Sequence, residues 1–208
     1  KTIDLPDGEW EWSKTGVDII CRDLDCDAVK IKNIHYFFAT LETKGLGEKI
    51  VERLFNANIN TIEKILKSTA IDFESVEGFK QKSAENLYNS IKKSTKDVPM
   101  HILMKASNKL GHGMGSERVK SVLNQYPNIL EKYKTWSKKD FIDKLKIIDG
   151  WEDKTSKMFA TNFSKFDEFY QSIKNLISIK KTKKINKKGK YLDKIIVLSG
   201  FRDKDFSK

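Results

Sequence analysis

Residues 41–54 read LETKGLGEKIVERL, and the reading of this stretch decides the fold. Before it, Ile34, Phe37, Phe38 and Leu41 recur at three- and four-residue spacing; within it, Ile50, Val51 and Leu54 do the same. Two helix-period runs therefore flank Gly45 and Gly47. The design returns in SVEGFKQKSAENLYNSI (75–91), KLGHGMGSERVKSVL (109–123) and IIDGWEDKTSKMF (147–159). Each copy has a helix-like run, then Gly-apolar-X, then charged residues, then an amphipathic run. The first glycine reaches a backbone conformation that a Cβ disfavours, as a tight turn between helices requires. The apolar residue after it (Leu46, Phe79, Met114 or Trp151) is expected to turn inward and pin the hairpin. The third position, when glycine, lets a neighbour approach the backbone where the second helix starts and its N–H groups point outward. That is an anion site made of backbone dipoles. Lys49, Lys82, Arg118 and Lys154, about one turn on, add a cation at each mouth.

The copies are unequal. Gly45-Leu46-Gly47 and Gly113-Met114-Gly115 are complete. The second opens on Gly78 but has Lys80 at the second glycine position, where side-chain charge substitutes for backbone approach. The fourth has Glu152 there, which repels an anion, so this hairpin is expected to be structural. One Gly-X-Gly can be no more than a helix-helix turn. Four, each followed by a cation, favour a surface that grips phosphates and ignores base identity.

The rest of the chain fits that reading. It has 208 residues and a net charge of +11, enough for one sizeable core or two modest ones. A pI near 9.4 favours an acidic partner, nucleic acid being the commonest; the plain alternative is a lysine-rich surface from an A/T-rich, viral-type genome. No apolar run reaches membrane-spanning length, and KTIDLPDGEWEW is too charged for a signal peptide, so neither a membrane partner nor secretion is expected. Cys21 and Cys26 are too few and too close for a disulfide framework, which points to an intracellular setting. The chain opens on Lys1 rather than Met, as a piece of a longer polypeptide would.

The expected fold is mainly α: a tandem of four helix-hairpin-helix motifs spanning 31–179. A small β hairpin precedes it within 1–30, with strands at Trp10 to Trp12 and Val17 to Cys21. Residues 180–193 read as a basic linker, with seven lysines in KKTKKINKKGK, and Ile195 to Leu198 as the first strand of an incomplete β domain over 194–208. Other chemistry finds no support. His35, His101 and His112 lack H-x-x-x-H spacing, and Gly111 to Gly115 lacks the Lys-Ser/Thr of a Walker loop. No carboxylates pair for acid-base work. Phe159, Phe163, Phe166, Phe169 and Tyr170 repeat at helical spacing, as core does.

In order and local wording (KGLGEKIVERL, EGFKQKSAENL) the four hairpins resemble the helix-hairpin-helix domain of bacterial and viral NAD⁺-dependent DNA ligases. The flanks are similar too: Cys21-x4-Cys26 matches the second half of that family's four-cysteine zinc module, and KIIVLSGFRDKDF the start of its BRCT domain. The resemblance implies a region that clamps double-stranded, nicked DNA in replication or repair, while an adenylating domain or subunit uses NAD⁺. This chain departs in two places. The upstream C-x2-C is missing, so Cys21 and Cys26 are half a zinc site: either the module persists without metal, or its other ligands lie elsewhere, His35 being a conceivable third. The adenylated-lysine motif K-x-D-G is also missing; Lys146-Ile-Ile-Asp149-Gly150 is one residue too long. No catalytic residue and no cofactor are therefore assigned to this chain. Two readings stay open: the DNA-clamping part of a ligase, or a non-catalytic DNA-binding accessory subunit of a replication or transcription complex built on a ligase scaffold.

Overall fold

Each hairpin sits between two helices that its own sequence starts and stops. The computed structural model describes residues 9–17, 19–21 and 26–180; the linker and BRCT-like strand expected after Lys180 lie outside them. β1 (Trp10–Trp12) and β2 (Ile19–Cys21) pair antiparallel, with Trp12 opposite Ile19, and Gly16 (φ +69°) turns the chain between them. Ten α-helices follow among the described residues: α1 (Asp27–Thr40), α2 (Glu48–Asn56), α3 (Ile62–Lys67), α4 (Ala70–Glu74), α5 (Gln81–Ser94), α6 (Met100–Ala106), α7 (Ser116–Gln125), α8 (Ile129–Lys132), α9 (Lys138–Lys146) and α10 (Asp153–Ile173), with a short 3-10 turn at Tyr133–Thr135. The partners α1/α2, α4/α5, α6/α7 and α9/α10 pack on each other and bracket the four hairpins, so the fold is the expected tandem.

Local chemistry sets the ends. Beyond α1, Glu42 takes a left-handed conformation (φ 57°) and the Thr43 N–H donates to the Phe38 carbonyl at 2.9 Å, closing the helix. Thr69 with Asp72, and Ser137 with Asp140, form capping boxes that start α4 and α9. Pro99 stands at the N-cap of α6, where its missing N–H costs no helix hydrogen bond.

Two apolar clusters share a seam. The first gathers Phe37, Phe38, Leu54, Ile65, Phe73, Leu87 and Leu103, and is completed by Ile173 at the end of α10 and Ile177 just after it. The second gathers Val119, Val122, Phe141, Leu145 and Trp151 around Phe159, Phe163 and Phe166. Helices α6 and α10 contribute to both, and Met100, Phe169 and Tyr170 pack against both. The aromatic run of α10 is core, as its spacing implies. After α10 the chain returns to the joint between the hairpin pairs: the Val98 N–H donates to the Ser178 carbonyl (2.8 Å) and the Lys180 N–H to the Val98 carbonyl (2.9 Å).

Asp167 fastens α10 to the segment after α8. Its carboxylate accepts from Tyr133 Oη at 2.6 Å and Gln171 Nε2 at 2.9 Å, and pairs with Lys134 Nζ at 2.8 Å. Burial pushes the carboxyl up, but the bonds from Lys134, Tyr133 and Gln171 outweigh it and hold it below its ordinary value. Since the folded value lies below the unfolded one, the stabilisation is complete at neutral pH and is lost as pH falls through the folded value. Asp167→Asn should therefore lower the melting temperature at pH 7, and its deficit against the parent should shrink in acid below about pH 4. Melting curves of both proteins across that range test this; a deficit that does not change with pH rules it out.

Candidate nucleic-acid interface

The first and third hairpins are built alike. Gly45 and Gly113 both have φ +78°, a region closed to most residues, and the Leu46 and Met114 side chains after them are buried. Gly47 (φ −73°, ψ 168°) and Gly115 (φ −66°, ψ 164°) cap α2 and α7 in ordinary extended backbone. A Cβ at either would meet no heavy atom within 4 Å. Among the described residues nothing requires glycine at these two positions, and the space in front of each is open. Neither cap carries a side-chain hydrogen bond. Among the described residues the N–H groups of Glu48, Lys49, Ser116 and Glu117 find no acceptor, leaving two bare helix starts.

Side chains complete each mouth. Arg118 bends back from α7 and donates from Nη1 to the Gly113 carbonyl at 3.2 Å, which holds its guanidinium at the third mouth. Lys49 lies exposed beside Gly47, in a shallow depression with Glu48, Ile50 and Glu52. Each helix start also carries a glutamate; Glu117 is drawn aside by Lys120 (3.6 Å). The third mouth opens into a depression shared by Tyr36 of α1, Asn108, His112 and Gly113. Tyr36 is 38 % exposed and was not foreseen; the available signal was an aromatic residue off the apolar stripe of α1.

The second and fourth hairpins differ. Gly78 has φ +86°, Phe79 is half-buried, and Lys80 caps α5 with its N–H already donated to Ser83 Oγ at 2.9 Å. Lys80 and Lys82 are exposed at this helix start. Within the second mouth lies the guanidinium of Arg53, from α2: a Cβ on Gly78 would be 2.6 Å from its Nη1. In the fourth hairpin Gly150 (φ +74°) makes the turn and Trp151 is buried, its Nε1 donating to Ser121 Oγ of α7 at 3.0 Å. Its helix start is acidic: Glu152 is exposed, and Asp153 binds Lys146 and Lys157, each at 2.5 Å. Lys154 is exposed there as well.

Cys26 is buried at the start of α1, and Cys21 lies in β2 with a side chain outside the described residues. No group of three or more His, Cys, Asp or Glu that could hold a metal ion occurs among the described residues. The donor set is short of the four that a structural zinc site uses, and no role is derived through zinc. Among the described residues no helix is long and apolar enough to cross a membrane.

Comparison with known proteins agrees with this geometry. Residues 39–93, the first two hairpins, match the SAM-like helix-hairpin-helix tandem family. The chain is 34 % identical over 210 residues to a DNA ligase of Acanthamoeba polyphaga mimivirus, an alignment covering all of this chain and 33 % of that protein. It is 32 % identical over 165 residues to a DNA ligase of Aliarcobacter butzleri (78 % of this chain, 23 % of the relative). A Campylobacter jejuni DNA ligase is 33 % identical over 126 residues (55 % and 20 %). The chain thus spans a third or less of these relatives. Its four hairpins and its end-to-end alignment place it with the helix-hairpin-helix region of DNA ligases.

Proposed function

We propose that this chain grips double-stranded DNA without regard to sequence, as the clamp of an NAD⁺-dependent DNA ligase acting at nicks. The observation that carries the reading is the pair Gly47 and Gly115: the same backbone geometry, open space in front, and unused N–H groups at the helix starts behind. Phosphate oxygens fit such donors, and the minor groove of a duplex presents them on both strands. Lys49, Lys80, Lys82 and Arg118 add charge around the mouths, whereas the acidic start at Glu152 and Asp153 supports a packing role for the fourth hairpin. Adenylation by NAD⁺ and sealing of the nick need residues outside this chain, which has no K-x-D-G motif.

Fluorescence anisotropy with nicked and intact duplexes of unrelated sequence, from 50 to 200 mM salt, tests the proposal. Three or four phosphate contacts predict a slope of log K against log salt of about −3, whatever the sequence. Preference for the nicked duplex supports the ligase clamp; equal binding to both moves the reading to an accessory DNA-binding subunit. No binding at the low-salt end removes the DNA proposal.

A further inference from the structure

We infer that Arg53 is the phosphate contact of the second hairpin, supplied to it by the second helix of the first. The inference rests on the DNA reading above and assigns to it a residue that the hairpin motif does not contain.

Of the 40 basic residues outside histidine, only four are arginines: Arg22, Arg53, Arg118 and Arg202. The described residues include two of these, and both lie against the first, positive-φ glycine of a hairpin. Arg118 sits 3.8 Å from where a Cβ on Gly113 would be, and Arg53 reaches 2.6 Å from the same point on Gly78. One guanidinium comes from within its own hairpin; the other crosses from α2. Among the described residues, whose other side-chain cations outside histidine are lysines, arginine occupies the two places where a planar fork stands at a hairpin mouth. Lysine cannot replace that fork in two-pronged contact with phosphate.

The second hairpin also has the greater need. It lacks the second glycine, and the N–H of Lys80 is committed to Ser83, so its backbone cradle is poorer than those at Gly47 and Gly115. Arg53 is exposed and makes no ion pair among the described residues, although Glu77 lines the same shallow depression with Asn56, Ala57, Val76 and Gly78. Its five donors are left for a ligand.

The test uses the full chain with intact duplex DNA and three variants. Arg53→Gln should weaken binding about tenfold at about 100 mM salt and reduce the salt slope by about 0.9, the loss of one phosphate. Arg53→Lys should keep the slope but weaken binding roughly threefold, because charge remains while the fork is lost. Lys165→Gln, an equal charge change on the exposed middle of α10, should leave the slope unchanged. Melting temperatures measured alongside separate binding from folding. If the parent binds and Arg53→Gln behaves like Lys165→Gln, the inference on Arg53 falls and the DNA reading stands. If the parent itself does not bind, both fall.

Discussion

A Gly47→Val, Gly115→Val double variant is expected to fold and to bind duplex DNA about 100-fold more weakly than the parent. The folding half rests on sterics: both positions have negative φ, and a Cβ there meets nothing within 4 Å. Valine is a poorer helix cap than glycine, at a cost of about 1 kcal/mol per site. The binding half rests on the contact that two branched side chains would block. Hydrogen bonds to a charged group contribute about 1.5–3 kcal/mol each, and two lost hairpins give about 3 kcal/mol or two orders of magnitude. The contrasting pair is Gly45→Ala, Gly113→Ala. At φ +78° each alanine is strained by about 1–2 kcal/mol, so those variants should lose stability first. Anisotropy and thermal melting on both pairs decide the matter. If the valine pair binds like the parent, the helix starts are not where DNA sits.

The largest effect on stability is expected at Phe163. Its ring is fully buried, with centroids 4.7 Å from Tyr133, 5.3 Å from Phe159, 5.5 Å from Phe141 and 6.0 Å from Phe166. Phe163→Ala leaves a cavity at the centre of the second cluster, and such truncations cost about 3–5 kcal/mol. Against a total of about 5–15 kcal/mol for a domain, that is a large share. Urea unfolding followed by far-ultraviolet circular dichroism and by tryptophan emission should show one shared transition at lower urea, because α6 and α10 belong to both clusters. Two separated transitions would mean that the hairpin pairs melt independently.

The hairpins were legible in the sequence because glycine placement and helical period are local. A residue with φ +78° writes itself as Gly45 or Gly113, and a buried pin as Leu46 or Trp151. The short β hairpin was legible for the same reason, from Trp10 to Trp12 and Val17 to Cys21, although its second strand starts only at Ile19. Contacts across elements were not. Nothing near Arg53 in the sequence says that it ends against Gly78, 25 positions on, and nothing near Tyr36 places it beside His112. Such placements follow from how α1 and α2 pack on later helices. Period alone also failed to rank neighbours: of Ile147 and Ile148, the first is 73 % exposed and the second packs against the core.

The return of the segment after α10 to Val98 bears on the order in which this protein can be made. Ile173 and Ile177 are core residues of the first cluster, and Asp97 and Ser178, 81 positions apart, are hydrogen-bonded at 2.7 Å. A nascent chain emerging from the ribosome has finished synthesising residues 39–93, the stretch recognisable as a hairpin tandem, long before those isoleucines exist. Until they arrive the first tandem has an open apolar side, and its last packing step waits for the second. The unit that the hairpin-tandem family delimits is therefore smaller than the packed unit, and a polypeptide cut at residue 93 is expected to present to chaperones the surface that Ile173 and Ile177 cover.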